Sequence, residues 1–213
     1  MDADYWHQKW QADDLGFHQP EGNLLLHTHF GELALPTDRR VFVPLCGKSR
    51  DIAWLMSQGH RVAGIELSEL AVRQLFEDMG LDPTVTVKDG MTCYSAADVE
   101  IFVGDIFQLT GAILGPVDAV VDRAALVALP EDTRVRYAAH VAEVTARASQ
   151  LLLTFEYDQT QMAGPPFSIS DDEISRNYDA SFRVSQLASV EVAGKLKGKC
   201  EAKENVWLLQ AQS

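Results

Sequence analysis

The apolar positions of this chain fall into short runs and helix-spaced stretches that alternate. Val41-Phe42-Val43 is rich in the β-branched and aromatic residues that suit a buried strand. Pro44 has no N–H for a sheet and ends it. After the loop Leu45-Cys46-Gly47, the stretch Asp51 to Met56 carries apolar residues at helical spacing and stops near Gly59. A second run, Val62 to Ile65, ends in an acid, Glu66. The pattern predicts strand, turn, helix, strand. Before it, Trp6 and Trp10 stand four apart and share a helical face, and Gly22 to Leu35 reads as a helix through Leu24, Leu25, Leu26, Phe30 and Leu33.

Beyond Glu66 the alternation continues. Ser68 is an N-cap for a helix from Glu69 to Met79 that Gly80 closes. Two short strands flank Lys88-Asp89-Gly90-Met91, whose Asp-Gly pair signals a turn, and Glu100 to Asp105 follows as another apolar run. Val117 to Asp122, bounded by Gly115-Pro116, reads as a strand buried on both faces. Pro130 opens a helix from Glu131 to about Arg147, and Ser149 to Phe155 is the next strand. Ser170 caps a helix over Asp171 to Tyr178, and Phe182 to Val192 and Val206 to Leu209 supply the last strands. No linker, repeat or low-complexity tract divides the 213 residues, which read as one domain: a helical cover at 1–35 and an α/β core at 40–213.

The first strand–helix–strand unit carries a functional implication. Parallel strands joined by a right-handed crossover end at the same sheet edge. A ligand there meets N–H groups at a helix start and a carboxylate able to accept from ribose hydroxyls. Gly47 and Glu66 stand 19 positions apart, close to the ~20 between a glycine turn and a ribose-binding acid. Gly47-Lys48-Ser49 resembles the end of a phosphate loop, but that motif needs a glycine where Phe42 stands. The dinucleotide fingerprint needs three glycines, and only Gly47 is present, which counts against an NAD-dependent oxidoreductase. A cofactor with a ribose and no phosphate, S-adenosylmethionine, suits this loop best.

Composition narrows the partners. Hydrophobic residues make up 46% and charged residues 23%, values that argue against disorder. A formal net charge of −13 disfavours nucleic acid. A nucleic-acid methyltransferase also carries a polar-Pro-Pro-aromatic motif where this chain has Asp122-Arg123-Ala124-Ala125. Cys46, Cys93 and Cys200 are odd in number and widely spaced, which argues against a disulfide framework or a zinc site. His27 and His29 do not share a helical face as metal ligands would, so no metal is expected. MDADYWHQKW has neither the basic nor the apolar part of an export signal, and no stretch reaches the ~20 apolar residues of a membrane span. The expectation is a cytoplasmic monomer with a small-molecule partner.

The run Phe42-Val43-Pro44-Leu45-Cys46-Gly47-Lys48-Ser49, with Gly59-His60 and Gly64 to Leu70, resembles thiopurine S-methyltransferase, its bacterial members in particular. Matching stretches recur in order at Trp6 to Trp10, Gly16-Phe17-His18, Asp122 to Leu129 and Gly164-Pro165-Pro166-Phe167. The resemblance implies a class I S-adenosylmethionine-dependent methyltransferase of Rossmann-like α/β fold. Its mostly parallel seven-stranded sheet would carry helices on both faces and an N-terminal helical cover. The implied product of the cofactor is S-adenosylhomocysteine. The implied acceptors are thiopurines or similar aromatic and heterocyclic thiols; selenium and tellurium compounds are also associated with bacterial relatives. A non-catalytic module that only binds S-adenosylmethionine is the remaining alternative.

The resemblance also assigns residues. Trp10, Leu45, Gly47, Glu66, Asp105, Ile106 and Arg123 match cofactor positions, and Asp14, Phe17, Pro166 and Phe167 border the acceptor. An aromatic ring such as Trp10 attracts a sulfonium through its quadrupole. Arg123, at a strand end where open α/β sheets bind ligands, is the candidate to stabilise an acceptor thiolate.

Overall fold

The computed structural model describes residues 3–12 and 22–212. In chain order the elements are α1 (Ala3–Gln11), α2 (Leu24–His29), β1 (Arg40–Val43), α3 (Arg50–Ser57), β2 (Arg61–Glu66), α4 (Glu69–Asp78), β3 (Thr84–Lys88), β4 (Met91–Ala96), β5 (Val99–Val103) and α5 (Gly111–Leu114). Then come β6 (Ala119–Arg123), α6 (Glu131–Val144), β7 (Ser149–Tyr157), α7 (Asp171–Tyr178), β8 (Phe182–Glu191) and β9 (Ala202–Ala211). The chain divides into two compact units, one made of Met1–Leu24 and Leu35–Asp118, the other of Leu25–Ala34 and Ala119–Ser213.

In the first unit the strand order is β3-β4-β5-β2-β1. β1 pairs parallel with β2 and β2 with β5, with Val43 opposite Gly64 and Glu66 opposite Val103, so all three strands end at one edge. The strands β3, β4 and β5 form an antiparallel meander. Its first turn is Asp89-Gly90, and both residues are left-handed, at φ 46° and 85°, the pairing that a tight two-residue hairpin requires. Gly64 is needed for packing: a Cβ there would lie 2.8 Å from Ile101 Cδ1, 3.0 Å from Cys46 Sγ and 3.2 Å from the Val43 carbonyl oxygen.

In the second unit the order is β6-β7-β9-β8; β6 and β7 run parallel, and the other two pairings are antiparallel. There are therefore nine strands among the described residues, in mixed parallel and antiparallel pairing, where a mostly parallel seven-stranded sheet was expected. The 84–96 hairpin lengthens one edge, since two strands with a two-residue turn need no crossover. At the other end β9 spans Ala202–Ala211, longer than the apolar Val206–Leu209. Its flanking polar residues pair through their backbones with both β7 and β8.

Local expectations fared unevenly. Ser68 and Ser170 do cap α4 and α7, accepting from the Ala71 and Glu173 N–H groups. The helix expected over 22–35 breaks into α2 and a 3-10 turn at Phe30–Leu33, ended by Ala34 in a left-handed conformation. The helix after Pro130 stops at Val144, because Ala146 and Arg147 are both left-handed, and Pro130 itself sits at the cap, one position before the first turn.

Candidate active site

Five of the first unit's cofactor candidates, Leu45, Gly47, Glu66, Asp105 and Ile106, lie at the edge where β1, β2 and β5 end. The loop after β1 takes a sharp path, with Leu45 at φ 44° and Gly47 at φ 51°. A left-handed leucine is a strained conformation of the kind found at ligand sites. The Cys46 N–H donates to the Ile65 carbonyl at 3.0 Å, and the Ser49 N–H to the Cys46 carbonyl at 3.1 Å, which fixes the loop onto β2. Ser49 then caps α3.

Glu66 is the centre of this arrangement. It is 6% exposed, and its Oε2 accepts the Gly47 N–H at 2.9 Å while its Oε1 accepts the Ser68 N–H at 2.8 Å. Burial raises its pKa above the usual carboxylate value, and backbone N–H donors and the charge of His7 on α1 oppose that shift. Burial, together with the Glu66 charge, pushes the Cys46 thiol well up. The Leu67 N–H is a third backbone donor to Glu66. Two carboxylate oxygens accept up to four hydrogen bonds, so capacity remains for a ribose hydroxyl, and these residues fit S-adenosylmethionine.

The Gly104 N–H donates to the Glu66 carbonyl at 2.9 Å and brings the next loop to the same edge. There Asp105 is half-buried and accepts the Phe107 N–H at 3.0 Å, while Ile106 is fully buried. Asp105 thus has a capping task that its place in the sequence did not announce. Trp10 is 4% exposed on α1, which packs against α4. Farther along, Asp51 accepts the Asn23 N–H at 2.7 Å and the Ser49 hydroxyl at 2.9 Å, and so ties residue 23 to the start of α3. Asp14 and Phe17 lie outside the described residues.

The second unit holds Arg123, Pro166 and Phe167. Arg123 is half-buried at the end of β6, and Ala124 after it is left-handed at φ 64°. The preceding Asp122 is completely buried and accepts the Leu126 N–H at 3.0 Å and the Tyr137 hydroxyl at 2.7 Å. Burial lifts its pKa to about 6 against those donors. The Phe167 N–H donates to the Val127 carbonyl at 2.7 Å, so the proline loop is bonded to the turn that follows Arg123. The Tyr157 hydroxyl donates to the Pro166 carbonyl at 2.7 Å, and the Lys197 ammonium to that of Pro165 at 2.9 Å. Gly164 leaves room for the Phe167 ring, since a Cβ there would stand 2.6 Å from Cδ1.

A family profile described as thiopurine S-methyltransferase (TPMT) matches residues 1–212. The chain belongs to the thiopurine S-methyltransferase family. A thiopurine S-methyltransferase of Xanthobacter autotrophicus is 53% identical over 211 residues, covering 99% of each chain. The fold is also that of more distant S-adenosylmethionine-dependent methyltransferases. One from Anabaena variabilis has a TM-score of 0.67 at 13% identity, covering 99% of this chain and 95% of its own. The 1,6-didemethyltoxoflavin-N1-methyltransferase of Burkholderia thailandensis, solved with its substrate and S-adenosylhomocysteine, has a TM-score of 0.62 at 17% identity, covering 99% and 87%.

For a thiopurine S-methyltransferase, several structural residues went unread in the sequence. Gly64 was detectable, because an isolated glycine within an apolar strand signals close backbone approach. Asp51, Asp122 and the Arg134–Glu173 pair each make a bond to a partner distant in the chain, which no local pattern announces. Among the described residues no cluster of His, Cys, Asp or Glu is suited to a metal ion, and no helix is long and apolar enough to cross a membrane.

Proposed function

We propose that this protein transfers the methyl group of S-adenosylmethionine to the sulfur of thiopurines or similar aromatic and heterocyclic thiols. The observation that carries the reading is the buried Glu66 carboxylate, held by the Gly47 and Ser68 N–H groups at the ends of parallel strands in a chain of this family. When bound, S-adenosylmethionine supplies a methyl on a sulfonium, an electrophile whose leaving group departs neutral.

The chain's own residues then align, shield and stabilise. Glu66 accepts from the ribose, the Leu45–Gly47 loop and Ile106 give backbone and apolar contact, and Asp105 and Trp10 complete the cofactor side. Pro166 and Phe167 form an apolar wall for the acceptor ring, Asp14 and Phe17 are the further acceptor residues that the family resemblance assigns, and Arg123 stabilises the thiolate. An aromatic thiol ionises near neutral pH, so the reaction needs no strong base, and alignment alone can supply up to ~7–11 kcal/mol. We read residues 1–213 as one methyltransferase domain with a cover at 1–35. We place it in the cytoplasm as a monomer, a reading that the free cysteines Cys46, Cys93 and Cys200 support for the compartment.

The test is S-adenosylhomocysteine formation from S-adenosylmethionine with thiopurines, thiophenols, selenite, tellurite, catechols or no acceptor. Turnover with the thiols supports the reading; turnover confined to selenite or tellurite, or to catechols, replaces it. In Arg123→Met, kcat with a thiol at saturating cofactor should fall, by about tenfold or more if one charge-assisted contact is lost. An unchanged rate removes Arg123 from the mechanism.

A further inference from the structure

We propose that the buried pair Arg134–Glu173 positions the acceptor wall and acts on acceptor recognition, with cofactor binding left unaffected. The proposal rests on the reading of Arg123 and Phe167 as acceptor-facing residues. Arg134 lies in the first turn of α6 and Glu173 in the first turn of α7, at 4% and 5% exposure. The guanidinium donates from Nε and Nη2 to the two carboxylate oxygens, the second at 2.8 Å. A buried ion pair is a weak source of stability compared with packed apolar residues, so its presence calls for another role.

The remaining contacts of Arg134 supply that role. Its Nη1 donates to the Leu129 carbonyl at 2.8 Å, and its Cζ stands 5.8 Å from the centre of the Phe167 ring. Both contacts bear on one frame, the segment 122–129, because Leu129 ends it and Phe167 is bonded to it through Val127. Asp122 holds the frame near its start through the Leu126 N–H, Val127 in its middle accepts the Phe167 N–H, and Leu129 at its end accepts from Arg134. Arg123 is the second residue of the frame. A single planar fork therefore secures both the turn that follows Arg123 and the aromatic ring bonded to it. Lysine has no such fork, only a compact point charge.

Loss of the pair should release the wall without unfolding the loop. Pro165 and Pro166 keep their bonds to Lys197 and Tyr157, and Ser168 keeps those to Gln159 and Tyr157. None of these contacts of Arg134 involves Glu66 or the loop after β1.

The experiment uses the full chain with Arg134→Met and Glu173→Met combined, which removes both charges and leaves neither buried alone. Arg134→Lys serves as the variant that keeps the charge. The first readout needs no turnover: hydrogen exchange in the peptide covering residues 158–170, where the Phe167 amide should exchange about tenfold faster as its local opening becomes easier. The second is a split in kinetics and binding. The acceptor KM should rise about tenfold, the scale of losing a desolvated cation–π contact, while the Kd for S-adenosylhomocysteine stays within about twofold. Arg134→Lys should fall between wild type and the double variant. Unchanged exchange at residue 167 in a folded variant overturns the proposal, as does an equal loss of cofactor affinity. If the double variant does not fold, Arg134→Lys takes its place in both measurements: exchange at residue 167 and an acceptor KM both raised above wild type support the proposal, and wild-type values of either overturn it. Absence of thiol turnover by the wild type would count against the acceptor reading alone, because the exchange result is independent of it.

Discussion

Replacing Glu66 by glutamine tests the cofactor site with little change of shape. In the wild type each carboxylate oxygen accepts one backbone N–H, from Gly47 at 2.9 Å and from Ser68 at 2.8 Å. Glutamine offers one oxygen and one NH2, so in either orientation one of those N–H groups meets another donor. The ribose hydroxyls also exchange a charged acceptor for a neutral one. Hydrogen bonds to charged groups contribute ~1.5–3 kcal/mol and neutral ones ~0.5–1.5, so two of them lose about 2–4 kcal/mol together. At 1.4 kcal/mol per decade, the Kd for S-adenosylhomocysteine should weaken roughly 30- to 700-fold. Folding should change less, because removing a buried charge offsets the mismatched N–H. Calorimetric titration gives the Kd and thermal melting checks the fold. A folded variant that binds within about threefold of wild type refutes the ribose role of Glu66. The same reasoning sets a pH direction. The site needs the ionised carboxylate, and burial raises its pKa, so wild-type affinity should fall as pH drops through that raised value and the Gln variant should lack this dependence.

Two further outcomes follow from packing and burial. Gly64→Ala should destabilise by about 1–3 kcal/mol through overpacking, read from urea midpoints. Adding Ile101→Val, which removes the atom 2.8 Å from the new Cβ, should recover part of that loss; no recovery means that the Val43 carbonyl is the limiting contact. Asp122 supplies a stability slope: its pKa rises from 3.8 to about 6 on folding, so the folded state holds the proton more tightly. Its contribution is complete below about pH 4 and is lost as pH rises through about 6, a span of ~3 kcal/mol. Asp122→Asn should therefore gain stability relative to wild type between those limits, measured by urea unfolding at pH 4 and pH 7. A constant difference between the two proteins would show that Asp122 does not titrate there.

The legible parts of the site were those whose physics is local. The loop at Gly47 and the acid at Glu66 could be read because a strand, a turn, a helix and a second strand follow one another within 28 residues, Arg39 to Glu66. The caps at Ser68 and Ser170 needed only the next three residues. The acceptor-side candidates rested on resemblance alone, since nothing in Gly164-Pro165-Pro166-Phe167 announces that its backbone bonds to Val127, 40 positions earlier. The seven-stranded, mostly parallel sheet was an implication of the resemblance, whereas the strand signals along the chain number nine. Alternating polar and apolar residues at 84–96 do show strands, but which neighbour they pair with, and in which direction, depends on the whole sheet.

By itself, then, the amino-acid sequence determined the order of most elements, the glycine turn with an acid at the end of the next strand, and the family, because hydrophobic period and short motifs act over a few residues. Only the tertiary structure decided the mixed pairing of the strands, the close approach at Gly64, the raised pKa of Asp122 and the pairing of Arg134 with Glu173 across 39 residues. Desolvation, steric approach and long-range hydrogen bonding depend on what the folded chain packs around a group, and that is set by contacts no local pattern contains.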